Sequence, residues 1–442
     1  MKKTFLLSCL MLAAMPVMAA YTGHVYVDKN KNGVFDQSEK PLAGIKVSDG
    51  LNVVETAADG SFTLPGHERE RFIFITTPSG YKTFNRHYHK IEKKQSGYDF
   101  GLIPYSGRIR KDGSHRYIHI TDTEIFNTEN HADWVNNVHD YARNEQAAFI
   151  IHTGDLCYEK GLKAHIKLMN TENMDCPVFY CIGNHDLVKG KYGEELFESI
   201  YGPVYYSFDA GNVHYVVTPM PGGDHAPGYT SDDVCRWLKN DLAHIRPGTP
   251  VVVFNHDLLT YEDTFIFKSK NAGSINLNEY NLKAWVYGHW HINYMKKQGD
   301  VYSVCTSSLD KGGIDHSTTA FRVMHVDSKG DFTSELRYTY LDKNICIASP
   351  AGVMASGVLP VAVNVYSSVS PVREVLYTCL ADGKPVLKNK RLLQSTDWSW
   401  NGELPLSHKY VGKELTLRVT ARFNNGEIAL SLIHISEPTR LL

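Results

Sequence analysis

"VFYCIGNHDLVKG", Val178 to Gly190, starts as an apolar strand and breaks into Gly183-Asn184-His185-Asp186. An amide, an imidazole and a carboxylate at the end of a buried strand are costly unless they have partners. Four other stretches repeat the pattern. "RYIHITDTE" ends in Asp122 and Glu124, and "AAFIIHTGD" in Gly154-Asp155. "PVVVFNHD" ends in His256-Asp257, and "KAWVYGHWHINY" carries Gly288-His289-Trp290-His291. Between these strands "ADWVNNVHDYARNEQ", "GLKAHIKLMN" and "DDVCRWLKNDLAHI" have helical apolar spacing. Wholly apolar strands alternating with helices predict a buried sheet in a layered α/β domain over residues 106–350. "VYYSFDAGNVHYVVTP" adds an antiparallel hairpin. In such folds, ligands bind beyond the strands' carboxyl ends, so five polar clusters converge at one edge. The donors are carboxylate, imidazole and amide, a set suited to divalent ions.

These blocks, taken in order, resemble the calcineurin-like metallophosphoesterase superfamily: D-x-H, G-D, G-N-H-D/E, H and G-H-x-H. The resemblance implies a β-sandwich core flanked by helices and a metal-dependent phosphoric ester hydrolase. It implies that Asp155 bridges two ions, Asp122 and His291 hold the first, and Asn184, His256 and His289 hold the second. A hydroxide between the ions would attack phosphorus, and His185 would support the leaving oxygen. On this reading Asp155 and His185 are the catalytic residues. One position departs from the pattern: Glu124 stands where the family has His. A carboxylate there favours Mn²⁺ or Mg²⁺ over an all-nitrogen set, within a range that includes Fe and Zn. Glu124 is read first as a replacement ligand. The alternatives are action through a water and a weak or empty first site. A decayed centre, leaving a non-catalytic binding or scaffold protein, is the alternative function. The substrate class stays open between phosphomonoester and phosphodiester, small or part of the cell envelope.

Residues 21–105 read as a small β-sandwich of short alternating strands such as "HVYV", "GIKVSD" and "SFTLP". Its first loop, "DKNKNGVFDQSE", places Asp28, Asn30, Asn32, Val34, Asp36 and Glu39 at positions 1, 3, 5, 7, 9 and 12, with Gly33 at 6. That is calcium-loop spacing between strands, and it predicts a structural Ca²⁺. The module resembles the companion domain of exported bacterial members of the superfamily. Residues 351–429 read as a second β-domain, cut short, with "STDWSWNGELP" as a surface loop.

The ends carry other messages. "MKKTFLLSCLMLAAMPVMAA" reads as an export signal over residues 1–20, which predicts a periplasmic or secreted protein. Residues 430–442 resemble a transposase sequencing adapter and read as a non-native tail. Seven scattered Cys besides Cys9 argue against a disulfide framework. A net charge of −2 over 442 residues predicts no nucleic-acid partner, and no later segment reads as a membrane span. Oligomeric state leaves no signature in the sequence.

Overall fold

The computed structural model describes residues 20–435, apart from 96, 342, 352–356 and 411–412. Residues 1–19, within the stretch read as an export signal, and residues 436–442, within the stretch read as a tail, lie outside the described residues.

The chain is rich in strands, with four α-helices among the described residues. Two sheets form its centre. One runs, in spatial order, Val178–Tyr180, Phe149–His152, His115–Ile120, Ala320–Val326, Phe332–Tyr338, and its first three strands are parallel. The other runs Tyr206–Ala210, Val213–Val217, Val251–Phe254, Leu282–Tyr287, Val301–Cys305, Tyr294–Gln298; its four middle strands are parallel. Both strand sets contribute to a single buried cluster. Tyr117, Phe149 and Ile151 of the first meet Tyr215, Val252 and Phe254 of the second. The Tyr117 and Phe149 rings stack at 4.8 Å, and Tyr215 stands edge-on to both. Runs such as Val251–Phe254 are buried at every position, because a strand covered on both faces has no wet side.

Helices cover the outer faces. Ala132–Asn144 buries Trp134, Val138, Tyr141 and Ala142, spaced three and four apart, against Ile118, Ile120 and Ile150. Ser231–Ala243 starts in a capping box, where Asp233 N donates to the Thr230 hydroxyl and Thr230 N donates to Asp233. The helix predicted from Gly161 begins earlier, at Tyr158, and a further helix, Glu195–Tyr201, carries no strong periodic signal. No helix among the described residues is long and apolar enough to cross a membrane.

Before this centre lie a five-stranded and a four-stranded sheet that share Val25, Val47, Phe62, Ile73, Phe100 and Leu102 in one core. The four-stranded sheet also reaches the centre. Phe72, Phe74 and Tyr88 belong to the central cluster, and Asp209 N donates to Thr77 O at 2.8 Å. After it lie two four-stranded sheets around Val363, Val375, Leu404 and Leu417. Here one expectation fails. Ser399–Leu406, read as part of a surface loop, is a strand paired with Gly357–Ser367. Its period-two set Trp400, Leu404 and Leu406 is buried, and the Gly, Asn and Ser around them masked the alternation. Residues 430–435 continue the strand Ile428–Ile435 beside Leu415–Phe423, with Leu430 and Leu432 facing solvent and Ser431 inward. The seven described cysteines are free, and six of them are buried.

Candidate metal centre

Each block occupies a turn directly after a parallel strand. Asp122 and Glu124 follow His115–Ile120, Asp155 follows Phe149–His152, and Asn184 and His185 follow Val178–Tyr180. From the second sheet, His256 follows Val251–Phe254, and His289 and His291 follow Leu282–Tyr287. The two sheets thus deliver their carboxyl ends to one place.

The turns are strained. Asp122, Glu124, Asp155, His289 and His291 all have φ between 45° and 65°, as do no other residues of these blocks. A left-handed conformation costs a residue with a Cβ about 1–2 kcal/mol. Five such residues at one site mark a backbone held by its surroundings for the sake of side-chain direction. Gly154, at φ +101°, is the glycine that conformation requires. Gly183 and Gly288 serve differently, because φ is not positive at either. A Cβ on Gly183 would sit 2.2 Å from Asp155 Oδ1, and one on Gly288 1.9 Å from Thr121 Oγ1. They are glycine because the neighbouring strand end approaches so closely.

Asp122 and Asp155 are buried. Asp122 accepts from Thr121 Oγ1 at 2.6 Å and from His289 N at 3.0 Å, and its Oδ1 lies 3.3 Å from His291 Nε2. Asp155 accepts from His185 N at 3.0 Å, and its Oδ2 is 3.1 Å from His256 Nε2. Ligand atoms of Asp155, His256 and His289 lie within 4.8 Å of one another, as do those of Glu124, Asp155 and Cys157; Asp155 is common to both groups. Glu124 Oε1 is 3.5 Å from His291 Nε2, while Oε2 pairs with Lys311 Nζ. Asn184 Oδ1 is buried with no hydrogen-bond partner. His256 Nε2 is likewise buried with no well-formed hydrogen bond, although Asp155 lies close. An acceptor and a ring nitrogen left bare beside converging carboxylates fit a cation, which satisfies both without a proton.

The electrostatics agree. Burial disfavours a charged His256, but Asp155 and then Asp122 raise its pKa to about 10. For Asp155, burial pushes up, and His256 at 3.1 Å holds the carboxyl below its usual range. This is a site with an excess of negative charge. Thr153 O lies 2.7 Å from His256 Nδ1, so the carbonyl accepts from Nδ1–H and leaves Nε2 as the ligand atom. Burial lifts the Cys157 thiol far above its ordinary pKa.

Several residues that sequence reasoning missed complete the site. His185 Nδ1 is 2.9 Å from Asp224 Oδ2, and burial, which lowers its pKa, is outweighed by Asp224 and Asp155. Asp224 lies in "PGGDHAPG", a loop pressed so close that a Cβ on Gly223 would sit 2.2 Å from Asn184 O. Its Gly-rich composition after a strand was the available signal. Lys311 left none. Asp186 and Asp257 bond elsewhere than to their neighbouring His. Asp186 accepts from the backbone N–H groups of Asp155, Cys157 and Gly183, and burial next to Asp155 pushes its carboxyl up to about 7. Asp257 accepts from Trp290 Nε1 at 3.0 Å. His119 and His152 are buried and bonded to Thr153, Thr306 and Thr123 hydroxyls, and act as core histidines.

Away from this centre, Asp28 and Glu39 are buried in the first loop of the chain. Asp28 accepts from Asn32 N at 3.2 Å and Gly33 N at 2.9 Å, and Glu39 from Lys29 N at 2.9 Å. Asn30 Nδ2 donates to Asp36 at 2.9 Å, and Asn32 Oδ1 accepts from Val34 N at 2.8 Å. Gly33 has φ +72°.

Comparison with known proteins places this geometry. Residues 115–293 match the family described as calcineurin-like phosphoesterase, and residues 29–104 the N terminal of calcineurin-like phosphoesterase. Purple acid phosphatase 13 of Arabidopsis thaliana is 26% identical over 215 residues, 46% of this chain and 36% of that protein. The chain thus spans about a third of the length of that curated relative. Among solved structures, an archaeal phosphodiesterase aligns over 50% of this chain and 99% of its own, at 12% identity and TM-score 0.26. A phosphopantetheinyl hydrolase from Mycobacterium tuberculosis aligns over 45% and 91%, at 14% identity and TM-score 0.29.

Proposed function

We propose that this chain, a member of the metallophosphoesterase superfamily, is an exported, metal-dependent phosphoesterase that hydrolyses a phosphomonoester or phosphodiester. The observation that carries the reading is the bare Asn184 Oδ1 and His256 Nε2 beside Asp122 and Asp155, at the carboxyl ends of two sheets. The architecture this reading rests on is a layered α/β domain over residues 106–350, with all-β domains at 21–105 and 351–429.

Asp122, Glu124, Asp155 and His291 would hold one divalent ion, and Asp155, Asn184, His256 and His289 would hold a second. When bound, the ions supply Lewis-acid activation of a water and neutralise charge on the phosphoryl oxygens. The chain's own residues do the rest. Asp122, held by Thr121 and the His289 N–H, and His256, held by the Thr153 carbonyl, cannot turn away from the centre. That rigidity removes the reorganisation cost when charge develops. His185, whose Nδ1 lies 2.9 Å from Asp224 Oδ2, stands on the edge of the centre and would give a proton to the departing oxygen. Lys311 offsets the extra negative charge that Glu124 brings in place of His. The loop Asp28–Glu39 binds one structural Ca²⁺. Segment 1–20 directs the chain to the periplasm or outside the cell.

The test is hydrolysis of a chromogenic phosphomonoester and the matching diester by metal-stripped protein given Mn²⁺, Mg²⁺, Zn²⁺ or Ca²⁺ singly. Metal-dependent turnover is expected. Folded protein that is silent with every ion would overturn the reading and favour the scaffold alternative.

A further inference from the structure

Two large aromatic side chains stand exposed beside His185. Phe126 is 54% exposed and Tyr158 43%. Their rings lie nearly parallel, 15° apart, with centroids at 6.4 Å. The Tyr158 ring centroid is 5.3 Å from that of His185. Phe126 follows Glu124 by two residues and Tyr158 follows Asp155 by three, so the strained turns that set the centre also set this pair. The strain continues into it: Cys157 has φ +68° and Tyr158 φ +55°. Left-handed backbone at a bulky aromatic residue is a true outlier. Here it turns the chain from the Asp155 turn into the helix Tyr158–Leu168 while leaving the ring outside the core. Core packing does not account for the pair, because neither ring is buried. A planar π-system laid against them would recover the apolar area they leave wet.

We infer that Phe126 and Tyr158 form a stacking ledge for a planar aromatic leaving group, so that the preferred substrate is an aryl or nucleobase-bearing phosphoester. The inference rests on the phosphoesterase reading above and deepens it. Water adds to phosphorus, the P–O bond to the leaving group breaks, and that oxygen takes the His185 proton while its ring lies on the ledge. A second aromatic pair, Tyr261 and Trp290, stacks at 5.9 Å. Trp290 donates to Asp257 on the His289 side, and that placement makes the pair a control.

The experiment compares phenyl phosphate with methyl phosphate, and adenosine 5′-monophosphate with ribose 5-phosphate, in the metal-loaded protein. Within each pair, the kcat/KM ratio in a variant is divided by the wild-type ratio, which cancels the intrinsic reactivity of the leaving groups. Stacking on one aromatic side chain is worth about 1–3 kcal/mol, so Phe126→Ala and Tyr158→Ala should each lower the ratio about tenfold. Tyr158→Phe should retain it. Tyr158→Gly, which relieves the positive φ, should lose it with no loss of melting temperature. Loss in either substrate pair supports the ledge. Ratios within about twofold in both pairs, or loss in Tyr261→Ala instead, overturn it. If wild-type protein hydrolyses none of these four monoesters, the monoesterase half of the phosphoesterase reading fails, the diester assay above decides the rest of it, and calorimetry with phenylphosphonate against methylphosphonate decides the ledge alone. A preference for phenyl that Phe126→Ala removes supports it, and equal affinities overturn it.

Discussion

The loop Asp28–Glu39 and the centre around Asp155 are both built from acidic and amide side chains, but they are assembled in opposite ways. The loop gathers its oxygens within twelve consecutive residues, and those of Asp28, Asn30, Asn32 and Glu39 accept from the loop's own backbone N–H groups. The centre gathers residues separated by up to 169 positions, from Asp122 to His291, and leaves Asn184 Oδ1 and His256 Nε2 bare. A local site can satisfy itself when empty. A site fixed by two sheets cannot relax, and it presents unsatisfied donors to whatever arrives.

That contrast can be broken most severely at the centre. Asp155→Asn removes the ligand shared by both groups and should lower turnover at least about a thousandfold, with loss of bound metal by elemental analysis. Wild-type activity in that variant would defeat the assignment. His185→Ala should cost about 10²–10⁴ in kcat while the metal content stays unchanged, since the His185 ring pairs with Asp224 and is not among the proposed ligands. Metal loss here would make His185 a ligand and blur the division between holding and proton transfer.

The next effect sharpens the comparison. Glu124→His restores the family residue but strands the Lys311 ammonium without its carboxylate. We expect about a tenfold fall in turnover, recovered in part by adding Lys311→Gln. A rise in the single variant would mean that Glu124 is a poor ligand and Lys311 a bystander.

At the loop the effects should be on stability. Saturating Ca²⁺ at about 100 times its Kd adds about 2.7 kcal/mol, which raises Tm by several degrees, and Asp28→Ala should abolish the shift with turnover unaffected. No shift in the wild type would reduce the loop to a self-bonded turn.

The smallest expected effect concerns neither site. His214 lies buried between Asp209 at 2.7 Å and Asp241 at 2.8 Å. Burial lowers its pKa, but Asp241 and Asp209 raise it above the ordinary histidine value. Its contribution is therefore fully present below about pH 6.5 and is lost as pH rises through the raised value. His214→Leu should lower Tm more at pH 6 than at pH 9. An equal loss at both would mean that packing, not charge, is what His214 supplies.

Much of this was legible in the sequence. Apolar runs ending in Gly-Asp, Gly-Asn-His-Asp and Gly-His-Trp-His named the strands and the side chains at their ends. A fully buried strand must be apolar throughout, and only a functional demand puts charge at its terminus. The calcium-type loop was legible for the same reason that it is local: its spacing is its geometry. The strand Ser399–Leu406 was not legible, because Gly402 and the surrounding polar residues hid its alternation.

The sequence by itself determined which polar residues stand at the strand ends and on what kind of strand they sit, since burial and periodicity are properties of a segment. Only the tertiary structure decided their company. Asp224 reaches His185 across 39 residues and Lys311 reaches Glu124 across 187. Asp186 bonds backbone amides instead of its neighbouring His. Phe126 and Tyr158 stand exposed beside the turns of the centre. Such pairings depend on how two sheets meet and on which turns take left-handed backbone. No local pattern encodes those, because the energy that fixes them is spread over the whole core.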